Sequence, residues 1–197
     1  MCIRDRIKSA YSKYIFDLVF GSLLLLVFLV PMLIIAIVVR ITSKGHALHW
    51  SNRVGRNNLI YKMPKFRSMR VNTPALPTHL MNDPASYLSP IGGFLRRSSL
   101  DELPQLFSIL KGDMSFVGPR PALFNQDDLI DLRTKKGVDK LLPGITGWAQ
   151  VNGRDNLSIT EKMALDLEYL NRQSFWFDIK ILWMTFLKVM KRDNVSH

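Results

Sequence analysis

The sequence predicts an α+β protein, mostly helical, whose first helix enters a membrane. Near the start of the chain, Leu18–Val39 contains no charged residue. Two segments of alternating apolar and polar residues, 47–54 and 59–66, are separated by Gly55–Asn58, a pattern typical of a short hairpin. Segments with helix-start signals and with apolar residues at helical spacing follow later in the chain. Ser158–Glu161 is one such helix-start signal. The length of 197 residues suits one medium-sized domain.

The charge of the chain indicates anionic partners. There are 27 Lys and Arg residues against 16 Asp and Glu residues, which gives a net charge of +11 and a pI near 10.0. Nucleic acid, phosphorylated ligands and an acidic membrane surface would all match this charge. The first long segment is too apolar for a nucleic-acid-binding arm. Cys2 is the only cysteine, so the sequence excludes an intramolecular disulfide and a cysteine-based metal cluster.

The uncharged segment is long enough for a bilayer core, since 1.5 Å per residue gives roughly 33 Å. Basic residues flank both of its ends: Lys8 and Lys13 precede it, and Arg40 and Lys44 follow it. No single orientation then satisfies the positive-inside rule, whereas a re-entrant helix with both ends in the cytoplasm does. Pro31 would supply the break that a re-entrant path requires. A kinked spanning helix is the alternative.

The first six residues have a separate interpretation. Met1–Arg6 resembles the translated end of a sequencing-library adapter, so we expect residues 1–6 to lie outside the fold. On this division, residues 7–42 form the membrane anchor and residues 43–197 form one further domain. Neither internal repeats nor low-complexity tracts divide that domain.

Two adjacent acids, Asp101 and Glu102, are the first candidate site. Ser99 and Glu102 have the spacing of a capping box, Pro104 is tolerated near a helix start, and Gly112 is a natural helix end. Both carboxylates would then lie in the first helical turn, where free N–H groups and the helix dipole hold anions. We expect them to stay ionised there. An ordinary capped helix is the alternative.

Basic residues occur in three settings: the end of a strand, a proline-bounded turn and a glycine-rich segment. Lys65 and Arg67 lie at the end of the second hairpin strand, either as phosphate ligands or as a solvated face. The two prolines of Gly118–Pro121 should hold Arg120 in one direction, for a phosphate or simply within a turn. The glycines of segment 143–154 permit close approach of a ligand, or build a compact loop.

The last predicted helix, Phe175–Lys191, is apolar around most of its circumference and carries lysines as well as Trp176 and Trp183. This composition suits an amphipathic helix at the lipid headgroup level. The chain contains neither a Walker A loop nor a strand-linked G-x-G-x-x-G segment. A P-loop or Rossmann nucleotide site is therefore not expected.

Four segments together resemble the bacterial sugar transferase family, the monotopic phosphoglycosyl transferases. They are Lys65–Met69, Ser98–Leu106, Lys111–Pro121 and Pro143–Arg154, and they occur in the family's order. The resemblance covers about Lys8 to Lys191. Residues 71–89 match least and are expected to form a variable loop.

The resemblance implies transfer of a sugar 1-phosphate from a UDP-sugar to polyprenyl (undecaprenyl) phosphate, with release of UMP and with Mg²⁺ present. It implies that the catalytic domain lies on the cytoplasmic face of the bacterial inner membrane, where the reaction would initiate exopolysaccharide, O-antigen or glycoprotein glycan assembly. Asp101 would be the nucleophile and form a covalent phosphosugar intermediate. Glu102 would hold Mg²⁺, together with Asp101, or assist the acceptor.

The resemblance also indicates the remaining site residues. The candidate phosphate ligands are Lys65, Arg67, Arg97 and Arg120, and the candidate nucleotide-sugar ligands are Gln150, Arg154 and Asp166. Two other classes of protein are the alternatives: a catalytically silent membrane adaptor of the same fold, and a basic, membrane-tethered nucleic-acid binder. The second would be expected to show an aromatic platform or a recognition helix, and the sequence shows neither. The sequence leaves the sugar, the pathway and the oligomeric state open.

Overall fold

The computed structural model describes residues 3–71, 73, 83–153 and 157–191, and it is a mixed, mostly helical α/β structure as predicted. The helices are α1 (Ile3–Thr42), α2 (Gly92–Arg97), α3 (Gln105–Lys111), α4 (Asp127–Lys135), α5 (Trp148–Asn152), α6 (Ile159–Arg172) and α7 (Phe175–Lys191). The strands are β1 (Leu48–Val54), β2 (Ile60–Phe66), β3 (Ser115–Val117), β4 (Ala122–Leu123) and β5 (Gly144–Thr146).

Helix α1 contains the apolar segment, and the most apolar stretch of 18 residues within Tyr11–Thr42 has a mean hydropathy of 3.2. This part of the helix is long and apolar enough to cross a membrane. The helix begins at Ile3 and therefore includes part of the segment that we expect to be foreign. It also continues through Pro31 without ending, so the interruption expected at that residue is not observed. Phe28 and Met32, on either side of the proline, both contact the smaller hydrophobic core.

One face of α1 packs against the rest of the protein along much of its length. Phe16, Phe20 and Leu24 contact the larger hydrophobic core, which includes Ile109 and Phe116. Further along the helix, a second set contacts the smaller core around Phe66 and Leu95: Leu25, Phe28, Met32, Ile35, Ala36 and Val39. The opposite face exposes aliphatic residues, among them Leu26, Val30, Ile34 and Ile41. The helix is thus apolar on both faces.

The predicted hairpin is confirmed. Strands β1 and β2 pair antiparallel from Leu48 opposite Phe66 to Val54 opposite Ile60, and β4 adds to the other edge of β1. The turn between β1 and β2 places Asn57 and Asn58 at positive φ, which asparagine tolerates better than most residues. Strands β3 and β5 form a separate parallel pair. The loop from β3 to β4 therefore runs from this pair to the hairpin sheet.

Helices α6 and α7 complete the larger core. The capping box predicted at the start of α6 is present: the Ser158 hydroxyl accepts from the Glu161 N–H, and the Glu161 carboxylate accepts from the Ser158 N–H. In α7, Phe177 and Ile181 are buried, whereas Trp176 and Trp183 are exposed. One face of α7 is therefore packed, and its other face presents aromatic rings to the surroundings.

Candidate active site

The two adjacent acids lie in a turn before α3, and the capping box predicted for them is wrong. Ser99 has φ 55, in the left-handed region, and its hydroxyl makes no capping hydrogen bond. Leu100–Glu102 forms a short 3-10 helix, and α3 begins only at Gln105. An N-cap residue usually has an extended backbone that directs its side chain at the free N–H groups, and Ser99 does not. The predicted end at Gly112 is confirmed, with φ +87.

Asp101 is 7% exposed, and burial raises its pKa to about 6. The charge of Lys65 opposes this shift, the charge of Glu102 adds to it, and Arg96 opposes it. Desolvation therefore outweighs the nearby cations. A pKa of about 6 still leaves Asp101 mainly ionised at neutral pH.

Glu102 is held by basic side chains from two other parts of the fold. Its Oε1 accepts a hydrogen bond from Lys65 Nζ, at the end of β2, at 2.7 Å. Arg120 Nη2, in the loop between β3 and β4, lies 3.9 Å from the same oxygen. The structure thus brings together four predicted residues from three segments: Lys65, Asp101, Glu102 and Arg120.

Two arginines at this site were not among the predicted residues. Arg53, on β1, donates from Nη1 to the Pro121 carbonyl at 3.2 Å, and burial together with the charge of Arg120 lowers its pKa to about 10. Arg96, on α2, has a pKa lowered by burial, which the charges of Asp101 and Glu102 oppose. In the sequence Arg53 resembles a basic residue flanking the membrane segment. Arg96 and Arg97 are neighbours whose helical phase the sequence does not define.

Two predicted phosphate ligands lie elsewhere. Arg67 donates from Nη1 to the Lys44 carbonyl at 3.0 Å, and its guanidinium occupies the space beside Gly45, where any Cβ would collide with it. Arg67 therefore holds the turn that follows α1. Arg97 is exposed, with its guanidinium beside Gly93. The structure places Arg96, and not Arg97, close to the two acids.

The three predicted nucleotide-sugar ligands have different positions. Gln150 is buried, and neither its Nε2 nor its Oε1 has a hydrogen-bond partner. Its Oε1 lies beside Gly147, which in turn packs closely against the Gly118 carbonyl, just before the Arg120 loop. Asp166 is 2% exposed and is bound by Arg133, so it is not open to a ligand. Arg154 lies outside the described residues.

A small cavity of about 10 Å³ lies between the carboxylate of Glu102 and the basic side chains around it. Its lining comprises Arg53, Met63, Lys65, Glu102, Gln105, Arg120, Pro121, Gly144 and Ile145. A larger cavity of about 380 Å³ lies apart from them, between α1 and the β1–β2 turn, and none of the charged site residues lines it. We assign the candidate site to the smaller cavity because the carboxylate and the three cations converge there. A substrate would bind at its rim, since the cavity holds only about one water.

Comparison with known proteins gives the same family as the sequence motifs. The family model described as bacterial sugar transferase matches residues 8–192. The chain belongs to the bacterial sugar transferase family.

Curated sugar transferases resemble the chain over nearly all of its length. The UDP-glucose:undecaprenyl-phosphate glucose-1-phosphate transferase of Escherichia coli K12 is 41% identical over 87% of this chain and 39% of its own length. The undecaprenyl-phosphate galactose phosphotransferase of Salmonella typhimurium LT2 is 35% identical over 95% of this chain and 42% of its own length. The chain thus spans less than half of these relatives. An uncharacterized sugar transferase of Bacillus subtilis 168, EpsL, is 37% identical over 93% of this chain and 90% of its own length.

The names of these sugar transferases agree with the predicted enzyme class, a phosphoglycosyl transferase. They also agree with the predicted lipid carrier, because the Escherichia coli and Salmonella proteins are both named for undecaprenyl phosphate.

Proposed function

We propose that this bacterial sugar transferase moves a sugar 1-phosphate from a UDP-sugar to a polyprenyl phosphate such as undecaprenyl phosphate. The observation that carries the proposal is the buried carboxylate of Asp101, beside Glu102 and within the field of Lys65 and Arg96, with Arg120 close to Glu102. Such a carboxylate is ionised at neutral pH yet poorly solvated. Both properties suit a nucleophile that must attack an anionic phosphorus centre.

The proposed reaction has two displacements at one phosphorus atom. In the first, a carboxylate oxygen of Asp101 bonds to the phosphorus next to the sugar, the bond from that phosphorus to the bridging oxygen breaks, and UMP leaves with the electron pair. In the second, a phosphate oxygen of the polyprenyl phosphate bonds to the same phosphorus and displaces the Asp101 carboxylate. The products are UMP and a polyprenyl diphosphate sugar, and the enzyme is regenerated.

The cations of the site reduce the repulsion between the carboxylate and the pyrophosphate, which would otherwise oppose the first displacement. Lys65 and Arg120 lie near Glu102, and both line the cavity together with Arg53, whose own pKa is lowered. In phosphoryl transfer, positioning and electrostatic stabilisation supply most of the catalysis. Lys65 and Arg120 are therefore our proposed phosphate ligands. Arg53 adds positive charge from the cavity wall, and Arg96 adds it from beside the two acids.

The acids fit Mg²⁺ as a donor set, because carboxylate oxygens are ligands that Mg²⁺ prefers and one or two of them commonly suffice beside substrate phosphates. Among the described residues, no group of three or more His, Cys, Asp or Glu side chains could hold a metal alone. Asp101 and Glu102 would hold the ion together with substrate oxygens and water. When bound, Mg²⁺ would neutralise pyrophosphate charge.

The side-chain amide of Gln150, which has no hydrogen-bond partner, supports a role for this residue in binding the nucleotide sugar. A buried amide without a partner is costly, and most buried polar groups in proteins are hydrogen-bonded. We propose that the nucleotide sugar supplies the missing partner, with Arg154 from the same glycine-rich segment as a second ligand.

We propose from the basic residues flanking α1 that the domain lies on the cytoplasmic face of the bacterial inner membrane, and the contacts of α1 support a shallow or re-entrant path there. Gly21 lies against Leu110, and Val39 packs near Leu95, so much of the apolar segment touches the domain. If α1 crossed the bilayer upright, it would draw the polar surface of that domain into hydrocarbon. A re-entrant or shallow path, with α7 at the headgroup level, avoids this cost.

UMP release tests the proposal directly. The full chain in detergent or nanodiscs, with undecaprenyl phosphate and Mg²⁺, is assayed across a panel of UDP-sugars, with Asp101→Asn as the matched control. We expect release with one sugar or a few, and none from the variant. A folded, membrane-bound wild-type chain that releases no UMP with any sugar would contradict the proposal and favour a silent adaptor. Salt-sensitive binding to plain RNA would favour the nucleic-acid binder.

A further inference from the structure

A buried ion pair lies behind the loop that carries Arg120. Arg133, on α4, donates from Nε and from Nη2 to Asp166 Oδ2, on α6, at 3.0 Å and 2.6 Å. The Arg133 side chain is 12% exposed, and that of Asp166 is 2% exposed. The third nitrogen of the guanidinium, Nη1, donates to the backbone carbonyl of Arg120 at 2.9 Å. One guanidinium thus joins a helix carboxylate to the backbone of the loop.

That hydrogen bond fixes the part of the loop that its own sequence leaves free. Pro119 and Pro121 fix their own φ angles, and Pro121 also restricts ψ of Arg120, but ψ of Pro119 and φ of Arg120 can still rotate. The bond from Arg133 to the Arg120 carbonyl restricts these rotations, and Arg53 holds the next carbonyl, that of Pro121. The backbone at Arg120 therefore has one orientation. Its side chain leaves this backbone toward Glu102.

The ion pair is a costly way to stabilise a fold. Burial raises the pKa of Asp166, and the charge of Arg133 opposes the shift. Buried ion pairs often contribute little net stability, and replacing both partners by apolar residues is often neutral or stabilising. Removing one partner alone, in contrast, leaves an unpaired buried charge. Stability therefore gives a weak reason for this pair, whereas orientation of Arg120 gives a specific one.

We propose that Arg133 and Asp166 are positioning residues for Arg120. Asp166 holds the Arg133 guanidinium, and Arg133 holds the Arg120 carbonyl, so that the Arg120 side chain meets the donor pyrophosphate in a fixed direction. This inference rests on the proposed transferase function and assigns Asp166 a role different from direct binding of the nucleotide sugar.

The test replaces the pair without leaving a buried charge. The double variant Arg133→Met with Asp166→Leu should keep a melting temperature close to that of the wild type, yet lose kcat/KM for the UDP-sugar by about 10- to 100-fold, since small misplacements of positioning groups cost this much. The ion pair of Lys111 and Asp113, whose side chains are 74% and 26% exposed, provides the control. The variant Lys111→Gln with Asp113→Asn should keep wild-type turnover.

A double-mutant cycle with Arg120→Ala separates positioning from general damage. If the pair acts through Arg120, its replacement should cost little further activity when the Arg120 side chain is already absent. An equal loss in both backgrounds, or wild-type turnover in the folded double variant, would overturn the proposal. If the double variant does not fold, Asp166→Asn provides the same comparison with a smaller change.

Hydrogen exchange provides a measurement that does not need activity. The peptide covering Gly118–Leu123 should exchange faster in the double variant than in the wild type, without any substrate. If the double variant exchanges faster but the wild-type chain releases no UMP, the transferase function is refuted while the restraint of the loop by Arg133 stands. Unchanged exchange together with unchanged turnover in an active enzyme would refute the positioning role alone.

Discussion

Lys65 Nζ lies 2.7 Å from Glu102 Oε1, and this contact joins the end of β2 to the turn that carries Asp101. Both side chains are mostly buried, at 18% and 15% exposure. The partners are far apart in sequence, so the contact depends on the hairpin sheet packing over the turn. Lys65 also lowers the pKa of Asp101 against the larger, opposite effect of burial. One lysine thus acts on both acids.

The pKa of Asp101 predicts an acid limit for the first half-reaction. Only the ionised carboxylate can attack, so UMP release without acceptor should fall as the pH drops through about 6. Lys65→Met removes the cation that lowers this pKa, so the limit should move to higher pH, whatever the loss in rate. The measurement is initial UMP release against pH for both proteins. A limit that stays in place, or moves to lower pH, would contradict the assignment.

The same pKa predicts that Asp101 destabilises the fold at neutral pH. A carboxyl whose pKa rises from 3.8 to about 6 on folding binds its proton more tightly in the folded state, so stability falls as the pH rises through this window. The full penalty, above pH 6, is about 3 kcal/mol. Asp101→Asn should therefore have a higher free energy of unfolding than the wild type. This difference in free energy should be about 1 kcal/mol larger at about pH 8 than at about pH 5. A difference independent of pH would argue against a raised pKa.

Gln150 predicts a similar conflict between stability and binding. Replacing the unpaired amide by an apolar group of similar length removes a buried polar group, so Gln150→Met should stabilise the protein, by about 1 kcal/mol. If the donor supplies the missing hydrogen bonds, the same variant should raise KM for the UDP-sugar. Thermal denaturation and steady-state kinetics measure the two effects. A stabilised variant with unchanged KM would remove Gln150 from the donor site.

The two Ser-x-x-Glu segments explain where the sequence sufficed and where it did not. Ser158 has an extended backbone, and its capping box with Glu161 forms as predicted. Ser99 has the same spacing but φ 55, and the carboxylate of Glu102 binds Lys65 instead. Spacing describes a local possibility, and a tertiary contact from another segment can override it. The competing partner could not be identified from the segment alone.

The basic residues likewise divide into those that the sequence could place at the site and those that it could not. Lys65 and Arg120 could be predicted because motifs mark them, and strand pairing and the proline-bounded loop place them beside the acids. The choice of Arg97 in place of Arg96 reflects the uncertain phase of a six-residue helix. Arg67 lies two residues beyond Lys65, but the strand ends at Phe66 and the chain turns towards α1. Such changes of direction leave no signal in composition.

The flanking charges predict that both ends of the apolar segment of α1 face the cytoplasm. With Cys2 replaced by serine, single cysteines introduced at Lys8 and at Lys44 should resist an impermeant maleimide in intact spheroplasts and react after permeabilisation. A control cysteine in a known periplasmic loop of another protein should react in both. Labelling of the Lys8 position in intact spheroplasts would show a spanning helix. Since α1 continues through Pro31, replacing this proline tests whether a local bend is needed for the re-entrant path.

The mechanism predicts that substitutions of Asp101 and of Glu102 impair different steps of the reaction. They are successive residues of a 3-10 turn, so their side chains leave the backbone about 120° apart, and we do not expect both to reach one phosphorus in line. Asp101→Asn should abolish UMP release even without acceptor, because the first displacement needs the carboxylate. Glu102→Gln should impair metal use or the second displacement while still allowing some labelling of the enzyme. Mass spectrometry after incubation with UDP-sugar and Mg²⁺ alone should find the phosphosugar on the peptide containing Asp101. Labelling that persists in Asp101→Asn, or kinetics that require a ternary complex, would transfer the nucleophile's role from Asp101 to another group or to the acceptor itself.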